Sequence, residues 1–381
     1  MIRIDEIYNN TFWPWFRNNR PGTRLFFCDP PGNTSPDALF NLGNDNIVEN
    51  DYVFCHDQEP VHLDTFEPLF DAVKVRNKDI GYRKVSNTGN ISIDYVYSFP
   101  NPAGHIIVSE QGEYVEELCR RYGWTVHYYF YHGWACQDWF RGYDKTFLIP
   151  RARDRAPTRT FMSPNRIVAG KRDHRVLFLY NVFKNDLEHN HISAPRVCQY
   201  EGVDITSIAQ KYTNVYQDIT TVFTQADLPR LFAGEDQQEM HSYQLGNFTE
   251  AQDSLVYVPT ETVYFGRRQH LTEKTFKAIA LEMPFVLVAP AGSLAYLREY
   301  GFRTFSGIFD ESYDKETDDI RRIERVTKLL KELNDLSVAE RQALHRACLP
   351  VVEHNFEHFY GQGFSNILWD ELLNMLKGLH V

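Results

Sequence analysis

Nowhere in the chain do about 18 apolar residues run together, and the start, MIRIDEIYNN, has no basic stretch followed by an apolar one. Neither membrane insertion nor secretion is therefore expected, and a cytoplasmic location is. Paired cysteine motifs are also missing. The six cysteines (Cys28, Cys55, Cys119, Cys136, Cys198, Cys348) are scattered without a C-x-x-C pair, as suits reduced core thiols. Basic charge is scarce: 40 Lys and Arg stand against 51 Asp and Glu, a net charge of -11. That weighs against a surface gripping nucleic acid broadly, while leaving room for a local basic groove. There is no G-x-x-x-x-G-K-[ST] loop, which excludes a P-loop kinase or ATPase, and Gly361-x-Gly363 lacks a third glycine. No internal repeat or low-complexity tract is visible.

What is present is an ordinary globular composition, 43% hydrophobic and 24% charged, with a high aromatic share of 14%. At 381 residues the chain exceeds the size at which one core keeps growing, so two domains are expected. Residues 23 to 150 read as short apolar runs, each ending in a polar cluster: TRLFFCDPPGN, DYVFCHDQEP, IDYVYSFPNP, HIIVSEQGE and WTVHYYFYHG. Helical stretches intervene, notably 112–122, with Val115, Leu118 and Cys119 on one face and Gly123 as the stop. Strands alternating with helices predict a parallel sheet covered on both faces. Ligands bind beyond the carboxyl ends of such strands, which puts Asp29, Asp57, Glu59, Ser109, Glu110 and His132 near one edge.

Between 145 and 175 the texture changes, and from Arg151 to Arg175 eight Lys or Arg stand against two acids. This reads as a linker into a second domain, either solvated or contacting phosphate. Beyond it, SLVYVPTET and PFVLVAP are predicted strands flanking a helix from Thr272 to Glu282, whose Phe276, Ile279, Ala280 and Met283 face the sheet. A further helix is predicted over 294–300. Ile320, Ile323, Leu330 and Leu333 form a helical stripe, Ser337-x-x-Glu340 has the form of a capping box, and 363–379 reads as an amphipathic helix.

The chemistry concentrates in SLVYVPTETVYFGRRQHLTEKTFKAIALEMPFVLVAPAG. With Thr272 as cap, Glu273 and Lys274 occupy a first helical turn, where unsatisfied N–H groups and the dipole favour an anion such as a diphosphate. Lys274 can pair with it, and the acceptor-only Glu273 suits two ribose hydroxyls. The spacing alone fits a surface helix start equally well.

The pattern Glu261-Thr262, a short insertion, Thr272-Glu273-Lys274, Ala278 and Pro284-Phe285-Val286 resembles the donor-site signature of the fucosyltransferase family. It is also similar to a group of bacteriophage glycosyltransferase-like proteins of the GT-B fold. Ser163-Pro164-Asn165-Arg166 with His174-Arg175, the run GSLAYLREYGFRTFSGIFDESYD, and HDQEP, VSEQ and HGWACQDWF share in the resemblance, which covers most of 52–313. It implies an α/β fold of two Rossmann-like domains facing a central cleft: 1–155 on the acceptor side, 156–350 for the nucleotide-sugar, and a helical tail, 351–381, across the junction. It implies a glycosyltransferase using a UDP- or GDP-sugar, located in the host cytoplasm if phage-encoded. Arg175 and Lys274 would neutralise the diphosphate, with Arg166, Arg172, Arg267, Thr262 and Thr272 also on the donor side. Glu273 would bind the ribose and Glu261 would sit beside the sugar. The segment TVYFGRRQHL departs from the fucosyltransferase pattern by carrying Arg267 and Arg268, which leaves sugar and base open.

No two aspartates are separated by a single residue, so the D-x-D metal site of the other large glycosyltransferase fold is missing and neither metal nor other cofactor is expected. His354 and His358, four apart, lack a third ligand signal. An inverting transfer needs a base for the acceptor proton; Asp57 or Glu59 is the first candidate, then Glu110, then Asp29 and His132, each also readable as a loop-capping group. The acceptor is open among a hydroxymethylated base in phage DNA, a glycan or lipid-linked saccharide, and a protein or small molecule. For DNA, the Arg-rich linker with Tyr128, Tyr129, Tyr131, Trp134 and Trp139 would cradle a backbone and a flipped base. The rival class is a nucleotide-sugar-binding or structural protein without catalysis. No membrane or obligate protein partner is indicated.

Overall fold

The computed structural model describes residues 4–20, 24–27, 52–61, 80–85, 91–97, 105–122, 125–143, 149–198, 201–232 and 244–379. The chain is α/β, with short parallel sheets and many helices, and divides into two compact units: Ile2–Trp134 with Leu368–Val381, and Ala135–Ile367. These divisions fall at 134/135 and 367/368, where the sequence analysis draws its lines at 155/156 and 350/351. The segment after Trp134 groups with the later residues because the Gln137 amide donates to the Phe359 carbonyl at 2.8 Å and the Tyr360 hydroxyl to the Phe140 carbonyl at 3.0 Å. Among the described residues no helix is long and apolar enough to cross a membrane.

The first unit holds a four-stranded sheet in the order β1 (Arg24–Phe27), β2 (Tyr52–His56), β5 (His105–Val108), β6 (Thr125–Tyr128), every neighbouring pair parallel. Helix α3 (Glu113–Tyr122) follows β5 where the sequence predicts it, with Val115 and Cys119 buried, and α4 (Tyr131–Trp139) follows β6. One expected parallel strand is different. IDYVYSFPNP contributes β4 (Ile91–Tyr97), which pairs antiparallel with β3 (Ile80–Val85) in a separate hairpin. The N-terminal residues, unassigned from sequence, form α1 (Ile4–Ile7), a π turn (Tyr8–Phe12) and α2 (Trp13–Asn19), with Pro14 in the first turn where its missing N–H costs nothing. Ile7, Phe12 and Phe16 are buried.

The second unit is built on a three-stranded parallel sheet ordered β8 (His191–Ile192), β7 (Arg159–Ser163), β9 (Ser254–Tyr257). PFVLVAP lies beside β9 in parallel fashion, through Tyr257 N–H to Pro284 O, Val286 N–H to Tyr257 O, Val288 N–H to Pro259 O and Glu261 N–H to Val288 O. It makes bridges and no continuous strand. The chain passes from β7 through α5 (His174–Lys184) to β8 on one flank, then returns to β9 on the other. The order thus reverses at β7, and the crevice outside the carboxyl ends of β7 and β9 is where such a sheet binds a ligand.

Helix α9 (Glu273–Ala280) has Phe276, Ile279 and Ala280 buried, with Met283 buried just beyond its end, and the Phe276 ring stacks on Phe359 and Phe364 at 5.5 and 5.7 Å. After α6 (Ile205–Ala209), α7 (Ile219–Gln225) and α8 (Phe248–Asp253) come α10 (Ser293–Glu299), α11 (Asp319–Asn334), α12 (Val338–Tyr360) and α13 (Gln362–Gly378). Ile323, Leu330 and Leu333 of the predicted stripe are buried, and the Ser337/Glu340 capping box is complete in both directions. His354 and His358 serve packing: their Nε2 atoms meet the Gly301 and Tyr300 carbonyls at 3.1 and 2.7 Å, closing the end of α10. Gly301 has φ 88°, and a Cβ there would lie 2.7 Å from the His358 ring. Both the backbone and the imidazole therefore require glycine.

Candidate functional site

At the reversal of the second sheet, the loops leaving β7 and β9 are tied together. The Ser163 hydroxyl donates to the Val258 carbonyl at 2.9 Å, and the Thr260 hydroxyl to Asn165 Oδ1 at 2.8 Å. Asn165 Nδ2 returns bonds to the Ser163 carbonyl and hydroxyl, all of these groups being buried. Rigid positioning of this kind is what a binding loop on a sheet edge requires.

The loop then presents Thr260, Glu261 and Thr262, each engaged by a separate cationic or imidazole side chain. Arg175 donates to the Thr260 carbonyl at 2.8 Å and to the Ile167 carbonyl at 2.7 Å. His174 Nε2 meets the Glu261 carbonyl at 3.1 Å. Lys274 Nζ reaches the Thr262 hydroxyl at 3.1 Å, the Thr272 hydroxyl at 3.2 Å and the Glu273 carboxylate at 2.8 Å. Arg175 and Lys274, 99 positions apart in the sequence by their numbers, 274 less 175, thus meet on the same three-residue stretch.

Arg175 is only 4% exposed, and its Nε has no hydrogen-bond partner among the described residues. Burial, and then the neighbouring Arg172, push its guanidinium down to about 9, against the opposing pull of Glu261 and Glu273. With no ion-pair partner among the described residues, this buried cation makes a local positive potential that an arriving anion would relieve. Arg172 closes a 3₁₀ turn (Gly170–Arg172) and is half-buried; Arg166 is half-buried and Arg267 exposed. Lys277, one turn along α9 from Lys274, is lowered by burial, with Glu273 opposing.

Glu261, which the resemblance puts beside the sugar, is engaged by the start of α9. It is fully buried, and its carboxylate accepts from the Thr272 N–H at 3.1 Å, the Thr272 hydroxyl at 2.6 Å, the Thr275 hydroxyl at 2.6 Å and the Thr262 N–H at 3.3 Å. The carboxylate thereby supplies a fixed anion to the amino end of α9, where the dipole favours it. Thr272 caps the helix by accepting from the Lys274 N–H, as expected. Glu273 is 9% exposed and pairs with Lys274.

In the first unit Asp57, Glu59, Glu110 and His132 follow the carboxyl ends of β2, β5 and β6, under different restraints. Asp57 is 2% exposed, and its Oδ2 accepts from the Tyr8 hydroxyl at 2.7 Å, the Cys55 thiol at 3.2 Å and the Tyr129 hydroxyl. Burial and then the Asp57 charge drive both phenols well above the ordinary tyrosine range, so they remain donors. Glu110 is 1% exposed and accepts from the Val61 N–H at 2.8 Å, while His132 Nε2 meets the Gln58 carbonyl at 2.8 Å. Both staple the HDQEP loop. Glu59 is half-buried with no hydrogen bond among the described residues. Asp29 lies outside the described residues.

Comparison with protein-family models, with curated proteins and with solved structures finds no match. The site must therefore be judged on its own chemistry.

Several residues considered for a nucleic-acid contact are engaged within the fold. Arg151 pairs with Glu282, Arg153 with Glu353 at 3.7 Å, Arg155 with the Pro150 carbonyl at 2.6 Å, and Arg159 with the His189 carbonyl. Arg151 and Arg155 are taken up at the end of α9, where buried Glu282 sits at φ 50° and offers its carboxylate and carbonyl oxygens. Of the aromatics considered for a flipped base, Tyr129, Tyr131 and Trp134 are 0%, 4% and 1% exposed core residues, while Tyr128 and Trp139 are half-buried. Among the described residues no group of three His, Cys, Asp or Glu side chains is placed to hold a metal ion.

His174 gives the site a pH signature. Burial, and then Arg175, hold its imidazole well below the usual histidine value, whereas in the unfolded chain it titrates near 6.5. Above about pH 6.5 both states are neutral; below it the unfolded state takes up a proton that the folded state refuses, so stability falls as the pH drops. His345 and His358, lowered by burial, act with the same sign. The melting temperature is expected to decline from pH 6.5 to pH 5, and His174→Gln to flatten that slope. An equal slope in the variant would contradict the assignment.

Proposed function

We propose that the chain is a glycosyltransferase whose Ala135–Ile367 unit binds a nucleoside-diphosphate-sugar at the carboxyl ends of β7 and β9. The observation that carries this is the meeting of Arg175 and Lys274 on Thr260–Glu261–Thr262, at the point where strand order reverses and where α9 begins. Arg172, Arg175, Lys274 and Lys277 leave positive charge in excess over Glu261 and Glu273, which suits a diphosphate dianion or trianion. The GT-B arrangement of two Rossmann-like domains is the architecture that goes with this reading.

In the transfer, the acceptor hydroxyl oxygen attacks the anomeric carbon, the bond from that carbon to the β-phosphate oxygen breaks, and the nucleoside diphosphate departs. Lys274 exchanges Glu273 for phosphate oxygens, freeing Glu273 to accept from the ribose hydroxyls. Arg175 and Arg172 contribute through their field and by holding the loop, since the Arg175 guanidinium is already bonded to two carbonyls. Glu261 fixes the helix start against which the diphosphate sits. Inversion at the anomeric carbon is the expected outcome.

The acceptor proton goes to a carboxylate, for which Glu59 retains accepting capacity while Asp57 and Glu110 are engaged in the loop. Glu59→Gln is expected to lower turnover by about 10²-fold or more with an unchanged melting temperature, whereas Asp57→Asn is expected to lower the melting temperature. Full turnover in Glu59→Gln would move the base elsewhere.

The direct test incubates the protein with a panel of UDP- and GDP-sugars and scores nucleoside diphosphate release with and without acceptors. Release with one donor class supports the proposal. Binding without release or transfer would instead favour a non-catalytic nucleotide-sugar-binding protein. Nucleoside mass spectrometry of DNA containing hydroxymethylated bases tests that acceptor, and an unchanged profile with every donor removes it.

A further inference from the structure

We infer that Phe265 is the platform on which the base of the bound nucleotide stacks, an inference that rests on the donor-site proposal above. Val197, Val215, Phe265, Val338 and Leu373 are the exposed large hydrophobic residues described, and Phe265, at 37%, is the aromatic one. A single exposed apolar residue is common; what distinguishes this one is how firmly the chain holds it out. Tyr264, its neighbour, is buried between the Arg322 guanidinium, 4.4 Å from the ring centroid, and the His174 ring, stacked at 5.0 Å and 11°. The Tyr264 hydroxyl donates to the Asp319 carbonyl at 2.6 Å, and Arg322 donates to the Tyr264 carbonyl at 2.9 Å. Gly266 follows at φ 80°, a turn that favours glycine, and the Gln269 amide closes the loop on the Ala291 carbonyl at 2.8 Å.

Phe265 therefore stands on a braced base. Its ring meets the edges of Tyr264 at 5.4 Å and His174 at 6.0 Å, at 85° and 90°, so that its position is fixed while part of its surface stays in water. His174 is bonded to the Glu261 carbonyl and precedes Arg175, which puts the phenyl ring beside the proposed phosphate site. A flat apolar surface next to cationic groups matches a nucleotide, in which an aromatic base adjoins a charged diphosphate. Stacking of this kind tolerates different bases, because every base has a π face.

The test measures binding of UDP, GDP and inorganic pyrophosphate to the whole protein and to Phe265→Ala and Phe265→Trp. Phe265→Ala is expected to weaken the preferred nucleoside diphosphate by about 10-fold or more, with pyrophosphate affinity unchanged and Phe265→Trp binding as the parent does. Unchanged nucleotide affinity in Phe265→Ala, with the parent protein still binding, overturns the stacking assignment alone. Equal weakening of pyrophosphate overturns it too, since the loss would then not come from the base. A parent protein that binds neither nucleotide nor pyrophosphate overturns both this inference and the donor site.

Discussion

Glu261→Ala is expected to lower the melting temperature by about 10 °C. The carboxylate is fully buried and satisfies two backbone N–H groups and two threonine hydroxyls around the start of α9. Truncation leaves the N–H donors of Thr262 and Thr272 without acceptors, opens a cavity and removes a fixed anion from the helix dipole. Together these cost roughly 3 to 4 kcal/mol, and for a unit of this size each kcal/mol moves the midpoint by about 2 to 4 °C. Glu261→Gln is expected to cost less, because one oxygen still accepts, yet the new amide must face N–H or hydroxyl donors on its other side. Thermal unfolding followed by circular dichroism reads both. An unchanged midpoint in Glu261→Ala would show that the helix start is held by something else.

Lys274→Ala carries the largest expected functional effect. Its Nζ is anchored only to groups that border the site, and its side chain is 24% exposed. Removal should therefore leave the fold intact while deleting a cation placed at the amino end of α9. A charge-assisted bond to phosphate is worth about 1.5 to 3 kcal/mol, so nucleoside diphosphate affinity is expected to fall by about 10- to 100-fold. Calorimetric titration measures it. Lys274→Arg should restore part of the loss, and retained affinity together with retained turnover in Lys274→Ala would remove the phosphate site.

The helix starts were legible in the sequence because local chemistry determines them. Thr272 caps α9 and Ser337 with Glu340 boxes α12 through bonds spanning two or three residues. Long-range roles were not. Glu261 folds back onto a cap eleven positions later, and the hint available was Thr272 and Thr275 spaced one helical turn apart. Asp57 looked like a poised base because nothing local reveals that Tyr8, 49 positions earlier, and Tyr129, 72 later, close on it. The hairpin of β3 and β4 did have a sequence signal, S-N-T-G-N between two alternating runs, which reads as a turn. In the basic linker, charge density alone does not reveal that Glu282, 131 positions beyond Arg151 by difference of their numbers, pairs with it. What topology adds is the reversal at β7, which identifies the loops of β7 and β9 as sharing an edge.

Crystals of the protein grown with its preferred nucleoside diphosphate address the donor site itself. Phosphate density touching Lys274 Nζ at the amino end of α9, with Glu273 turned toward the ribose, is the expected sight. Nucleotide bound away from Thr260–Thr262, or Lys274 still paired with Glu273 beside an occupied site, would contradict it.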